Sequence, residues 1–319
     1  MRERKIARKG ELYIQMPGLV TGTLLEQISQ TQGNGSEGTF DLPTKRAKVG
    51  GTELNYFELG EGDPVVFVHG SIGDYRTWGY QFEAFAKRYR VISYSRRYHY
   101  PNAWIGDGMD YSSAVHAEDL AGFVRSLGIG PVHLIGQSYG AIVAAHCARH
   151  HPDVVCNLVV IEPSIVPWLE HIEGGPESIE PFVKEVMEPA ANAMEAGNSD
   201  EAVRIFCDGV LGAGTFESLS PEMQAAMLDN APEFRAELEA PEPVSAFSFE
   251  DAKQITVPTL SVEAGGSIPW LAKVTDKFAS LVPTIERVSI EDSPHAVHFV
   301  TPQAFNETVL DFLERHPRT

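Results

Sequence analysis

Residues 132–149 read VHLIGQSYGAIVAAHCAR: an apolar run, a Gly-x-Ser-x-Gly turn, then an Ala-rich segment. The first part predicts a buried strand and the last a helix, so Ser138 occupies a tight strand-to-helix turn. A turn of that kind strains its own backbone and brings strand and helix together, and Gly136 and Gly140 supply the room. The helix behind Ser138 also aims backbone N–H groups and a partial positive charge at the place where an oxyanion would form. Ser138 is therefore a candidate nucleophile.

On both sides of this turn, short apolar runs alternate with helical periods. Strands are predicted over residues 65–68, 91–94, 132–135, 158–161, 258–262 and 285–290, with a hairpin around Gly50-Gly51. Leu120, Phe123, Val124 and Leu127 share one helical face, as do Phe305, Val309 and Phe312. The pattern predicts an α/β fold, a mostly parallel central sheet flanked by helices, with its core in residues 44–164 and 251–319. Residues 165–250 break the alternation with Pro-punctuated helical segments and no clear strand, which predicts a helical cap. Residues 1–43, polar and Gly-rich over 29–39, read as an arm on a flexible linker.

The segment Phe67-Val-His-Gly-Ser71, with Trp78 beyond it, joins the Gly136–Gly140 turn in a pattern that resembles the α/β-hydrolase superfamily over residues 45–319. That resemblance implies two oxyanion donors, the N–H groups of Ser71 and Tyr139. It also implies that the loop Ser95-Arg-Arg-Tyr-His-Tyr-Pro101 borders a pocket, with His99 and Tyr100 as substrate-binding candidates. Trp168, at the start of the cap, is a third, and Phe182, Phe206 and Phe216 could line an apolar site.

A serine hydroxyl needs a general base within reach. His295, in the loop Glu291-Asp-Ser-Pro-His-Ala-Val-His298 after the last predicted strand, is the candidate base, and His298 is its competitor. His146 and His150 have metal-compatible spacing but no third ligand, so no metal site is expected. The acid departs from the common family pattern, because Gly265, Gly266 and Ser267 stand where an Asp would fall. Branches that resemble this chain, zearalenone-type lactonases among them, take a Glu from the end of the strand before the cap. Here that residue is Glu162, with Glu263 and Asp292 as alternatives.

These readings point to a serine esterase or lactonase that acts on a small, mostly apolar molecule and needs no cofactor. A carbon–carbon bond hydrolase or lyase with the same triad is the alternative, and a non-catalytic receptor on the same scaffold is a weaker one. The 319 residues carry 25 Lys and Arg against 44 Asp and Glu, a net charge of −19 that argues against nucleic-acid and anionic-membrane partners. Between Trp168 and Glu250 lie 18 acidic residues and only Lys184, Arg204 and Arg235, so most of the charge belongs to the expected cap. No long apolar run or secretory leader is evident, and three cysteines without C-x-x-C spacing fit a reducing compartment, so a cytoplasmic location is expected.

Overall fold

The computed structural model describes residues 42–318 except Asp292. The arm expected over residues 1–43 lies almost wholly outside the described residues, as does Asp292, one of the alternative acids. The strands are β1 (Lys45–Val49), β2 (Thr52–Leu59), β3 (Asp63–Val68), β4 (Tyr89–Tyr94), β5 (Val132–Gln137), β6 (Val155–Ile161), β7 (Thr259–Ala264) and β8 (Ile285–Ile290). They form one sheet in the order β1-β2-β4-β3-β5-β6-β7-β8. β2 pairs antiparallel with both β1 and β4, and every other pairing is parallel.

Central strands covered on both faces are apolar at successive positions, and their side chains divide by alternation. Val66, Val68, Leu134, Leu158 and Val160 pack on one side with α2 (Ser113–Leu127) and α3 (Tyr139–His150). Val65, Phe67, Ile135, Val159 and Ile161 pack on the other, with Phe82 and Phe85 from α1 (Gly79–Ala86) and Phe305, Val309 and Phe312 from the C-terminal helix. Between β6 and β7 the described residues form helices and turns only. The longer ones are α4 (Gly175–Phe182), α5 (Glu188–Glu195), α6 (Ser199–Leu211), α7 (Pro221–Leu228) and α8 (Ala231–Glu239). They bury a small core of their own around Met194, Val203, Cys207, Phe216 and Phe234, which Ile72 from the β3 side joins. α9 (Pro269–Leu281) and α10 (Pro302–Arg315) complete the molecule.

Close backbone packing fixes the turn after β5. A Cβ on Gly140 would lie 2.2 Å from the Val68 carbonyl oxygen, and one on Gly136 would lie 2.4 Å from that of Gly140. The β5–β6 register pairs Gln137 with Ile161, so the next residues, Ser138 and Glu162, emerge side by side. Among the described residues, the non-glycine residues with positive φ are Ile72 (49°), Tyr98 (70°), Ser138 (55°) and Glu162 (46°). They follow β3, β4, β5 and β6 respectively. Strained backbone thus concentrates along one sheet edge, where the surrounding packing must hold it and where function commonly resides.

Because the obstacle at Gly140 is backbone, Gly140→Ala is expected to destabilise the protein by at least about 2 kcal/mol. Gly51→Ala, with open space around the added carbon, should stay within about 0.5 kcal/mol. Urea unfolding of both variants checks the contrast.

Candidate active site

Ser138 stands at φ 55°, ψ −120°, ahead of the first turn of α3. Its N–H donates to the Ile161 carbonyl at 2.9 Å, which ties the turn to the end of β6. Next to it, Glu162 is buried at 1% exposure. Its Oε2 accepts from His295 Nδ1 at 2.7 Å and its Oε1 from the Ala264 N–H at 3.3 Å. The proton on Nδ1 is assigned from that pairing with a carboxylate, and it leaves the lone pair on Nε2.

That lone pair faces the Gln137 side chain, whose Nε2 lies 2.8 Å from His295 Nε2 and donates to it. Among the described residues no hydrogen bond joins Ser138 Oγ to His295. Gln137 reads as a filler position of the Gly-x-Ser-x-Gly motif, and no sequence signal marks it as the residue that meets the imidazole.

The turn after β3 lies opposite. Ser71 and Ser138 keep some accessible surface while their neighbours Gly70, Ile72 and Tyr139 are buried. Tyr139 opens α3, so its N–H is one of the helix's unpaired first donors. Arg96, at 1% exposure, holds the turn from below. Its guanidinium donates to the His69 carbonyl at 3.2 Å and the Gly70 carbonyl at 3.0 Å, and it lies 4.6 Å over the Tyr139 ring. His69 closes the same corner, with Nδ1 donating to the Gly70 carbonyl and Nε2 accepting from the Arg96 N–H. Burial first, with the neighbouring His99 and the Arg96 charge adding to it, drives its imidazole well below the usual histidine range, so it stays neutral.

From the other side, α8 brings two carboxyl groups one turn apart. Glu237 Oε1 accepts from the Ser71 hydroxyl at 2.9 Å. Glu233 Oε2 accepts from the Ile72 N–H at 3.2 Å and its Oε1 from the Tyr111 hydroxyl at 2.5 Å. Burial pushes both carboxyls up, to about 7 for Glu233, and the Glu233 charge adds to the effect on Glu237, raised to about 8. Sequence reasoning passed over both residues.

The remaining candidates occupy other places. Trp168 is buried at 3% exposure, bonded to the Phe247 carbonyl and packed among Phe247, Phe249 and Phe278. An aromatic in a helical pattern does not reveal which of these partners it will meet. His99 is fully buried, with Nδ1 donating to the Gly73 carbonyl at 2.7 Å. Tyr100 is half-buried with its ring 4.3 Å from the Arg76 guanidinium. The Phe182 ring lies tilted against Trp270 at 5.4 Å and the Phe206 ring against Phe234 at 4.7 Å. Glu263 accepts from Arg287 at 2.8 Å, and among the described residues no hydrogen bond joins it to His295. His298 packs 4.5 Å from the Trp78 ring, with its Nδ1 unpartnered.

A model described as "Alpha/beta hydrolase family" matches residues 65–308. Among curated proteins, (E)-2-((N-methylformamido)methylene)succinate hydrolase of Acinetobacter baylyi is 24% identical over 82% of this chain and 95% of its own length. A non-heme haloperoxidase of Rhodococcus erythropolis is 26% identical over 83% of this chain and 97% of its own. Among solved structures, the enol-lactonase from Burkholderia xenovorans LB400 superposes with a TM-score of 0.69 at 22% identity, over 85% of this chain and all of that one.

The setting of His298 fixes a pH dependence of stability. Burial, with the His295 charge adding to it, lowers its imidazole to about 3. The unfolded chain takes up that proton near pH 6.5, so the stability is fully present above 6.5 and is lost as pH falls through the acid range. Between pH 7 and pH 5 the wild type should lose about 2 kcal/mol more than His298→Leu, read by urea unfolding at the two pH values.

Proposed function

The chain belongs to the alpha/beta hydrolase family, and we propose that it is a serine hydrolase that cleaves an ester or lactone of a small, mostly apolar molecule. One observation carries this reading. A buried carboxylate–imidazole pair at 2.7 Å, Glu162 and His295, sits beside a serine held at positive φ on a tight turn. The hydrolase named for Acinetobacter baylyi and the enol-lactonase support the class of chemistry.

In the proposed mechanism Ser138 Oγ attacks the carbonyl carbon and its proton passes to His295 Nε2. For this the Gln137 amide must yield Nε2 to the serine hydroxyl, a tightening that catalytic hydrogen bonds commonly undergo when substrate binds. Glu162 keeps the imidazole in the correct tautomer and stabilises the imidazolium as it forms. Ser71 and Tyr139 offer backbone N–H groups to the oxyanion, and Arg96 positions the Ser71 turn through two carbonyls. The tetrahedral intermediate collapses as His295 returns the proton to the leaving alcohol oxygen, which leaves an acyl group on Ser138. Water then attacks that acyl carbon with His295 again taking the proton, and the acid departs as Ser138 regains its hydrogen.

Two expected outcomes follow for the machinery. A fluorophosphonate should label wild-type protein at Ser138 and fail to label Ser138→Ala. Glu162→Gln should lower kcat by about 10⁴, as misoriented triad histidines do, while Glu263→Gln stays close to wild type. Near wild-type turnover by Glu162→Gln overturns the assignment of the acid.

Substrate charge is a separate matter. The 18 acidic residues between Trp168 and Glu250 put a negative field over the proposed pocket, which slows the approach of anions. A neutral ester should therefore exceed its carboxylate analogue in kcat/KM at low salt, and the gap should narrow at high salt. Preference for the anion at both salt concentrations contradicts this reading.

A further inference from the structure

The proposed hydrolase reading assigns work to the Ser71 N–H but none to the carboxyl group that grips the Ser71 side chain. Glu237 and Glu233 lie one turn apart on α8 and so share a face. Glu237 Oε1 accepts from Ser71 Oγ at 2.9 Å, and Glu233 Oε2 accepts from the adjacent Ile72 N–H at 3.2 Å. Together they clamp the turn whose amide is the proposed oxyanion donor. Glu237 is enclosed by protein yet retains accessible surface, as Ser71 and Ser138 do, whereas Glu233 is fully buried.

Counting hydrogens shows which form of Glu237 fits this enclosure. Tyr111 has one hydroxyl hydrogen and two carboxylate oxygens near it, Glu233 Oε1 at 2.5 Å and Glu237 Oε2 at 3.3 Å. The nearer oxygen takes it. Glu237 Oε2 is then left facing an oxygen lone pair, an arrangement that is satisfied when Glu237 carries the proton itself. The charge census agrees, with two carboxyls on one face and a single buried cation, Arg96, behind them. His99 Nε2 adds no second cation: it lies 3.2 Å from Glu233 Oε1 without a hydrogen-bonding alignment, and burial drives the ring well below the usual histidine range.

We propose that Glu237 is a positioning residue of the proposed active site, a neutral carboxyl group that holds the Ser71 turn in its oxyanion-binding form and shuts the site down when it ionises. Uncharged, it accepts the Ser71 hydroxyl and leaves the field at the developing oxyanion to the backbone N–H groups. Ionised, it sets a negative charge one side chain away from the oxygen that must itself become negative, in an enclosed place where water screens little.

The groups that face Glu237 come from five directions. They are Glu233 on its own helix, Ser71 after β3, Arg96 after β4, Tyr111 ahead of α2 and Tyr139 at the start of α3. Burial and Glu233 raise its proton affinity, while Ser71, Arg96 and Tyr111 oppose them. Both tyrosines are pushed well above their ordinary value by burial, so neither loses its proton before Glu237 does.

The test is the pH profile of kcat/KM for a neutral p-nitrophenyl ester, corrected for spontaneous hydrolysis, with fluorophosphonate labelling of Ser138 at each pH as a parallel measure. Wild type should fall about tenfold from pH 7 to pH 9, with a midpoint near 8. In Glu237→Gln, which keeps the side-chain shape and cannot ionise, the ratio of the two values should stay near one, whatever the level at pH 7. Retention of the wild-type fall in Glu237→Gln overturns the inference, as does a wild type with no fall. Should Glu237→Gln not fold, Tyr111→Phe replaces it. Removing the hydroxyl shared by the two carboxyls should move the wild-type midpoint, and an unmoved midpoint overturns the inference equally. Absence of labelling at every pH defeats the serine-hydrolase reading instead, so the two failures are told apart.

Discussion

The backbone of α3 passes so close to the end of β3 that an added carbon on Gly140 would stand 2.2 Å from one carbonyl oxygen and 2.4 Å from the next. That approach sets the geometry of the whole carboxyl edge. Ser138 takes a positive φ there, and α3 begins at the next residue, Tyr139. Parallel register does the rest, since a Gln137–Ile161 pairing makes neighbours of the residues that follow. The candidate nucleophile and the carboxylate that holds the histidine are adjacent because two strands end at the same level. A one-residue shift in the β5–β6 ladder would separate them and turn every side chain to the opposite face.

How far this edge could be read from sequence depends on how local each signal is. The strand, turn and helix around Ser138 are written in contiguous residues, and the strand-end position of Glu162 and the loop position of His295 follow from chain order. The 2.7 Å contact between the last two completes what chain order suggested, while their chemical roles rest on the proposed mechanism. Elements whose environment is decided across the chain were not legible. Trp168 packs among Phe247, Phe249 and Phe278, partners that lie about 80 to 110 residues further along the chain and that its own neighbours do not announce. Arg96 and Arg97 stand together in the loop expected to border the pocket, and the sequence alone does not tell them apart. The first is buried under the Gly70 turn and the second pairs with Asp119 nearer the surface.

The same limit hid the two carboxyls on α8. In sequence they are two acids among 18, at a spacing that any amphipathic surface helix shows. What distinguishes them is the insertion's seat on the core. Asn230, just ahead of α8, donates to Asp74 at 2.8 Å, and Arg76 reaches Asp229 at 3.0 Å. These contacts anchor the start of the helix beside the β3 turn, so the face that bears Glu233 and Glu237 points into the enclosed side. A carboxylate turned inward needs partners or a proton, and the supply of partners there is limited to two hydroxyls, one amide and one guanidinium.

The acidity of the insertion therefore acts in two ways that differ in range. Fourteen of the 18 acids are exposed; their field acts through solvent and fades beyond about 8 Å at physiological ionic strength. It bears on how often a charged molecule reaches the opening, and added salt weakens it. The charge that Glu237 would carry lies in a largely enclosed place, where screening is weaker than at the exposed acids. It bears on the stability of a negative intermediate, and salt weakens it less. Net charge alone cannot separate these contributions, because both groups count equally toward −19. Burial does, by leaving fourteen of these acids exposed to solvent while it encloses Glu237 and raises its proton affinity.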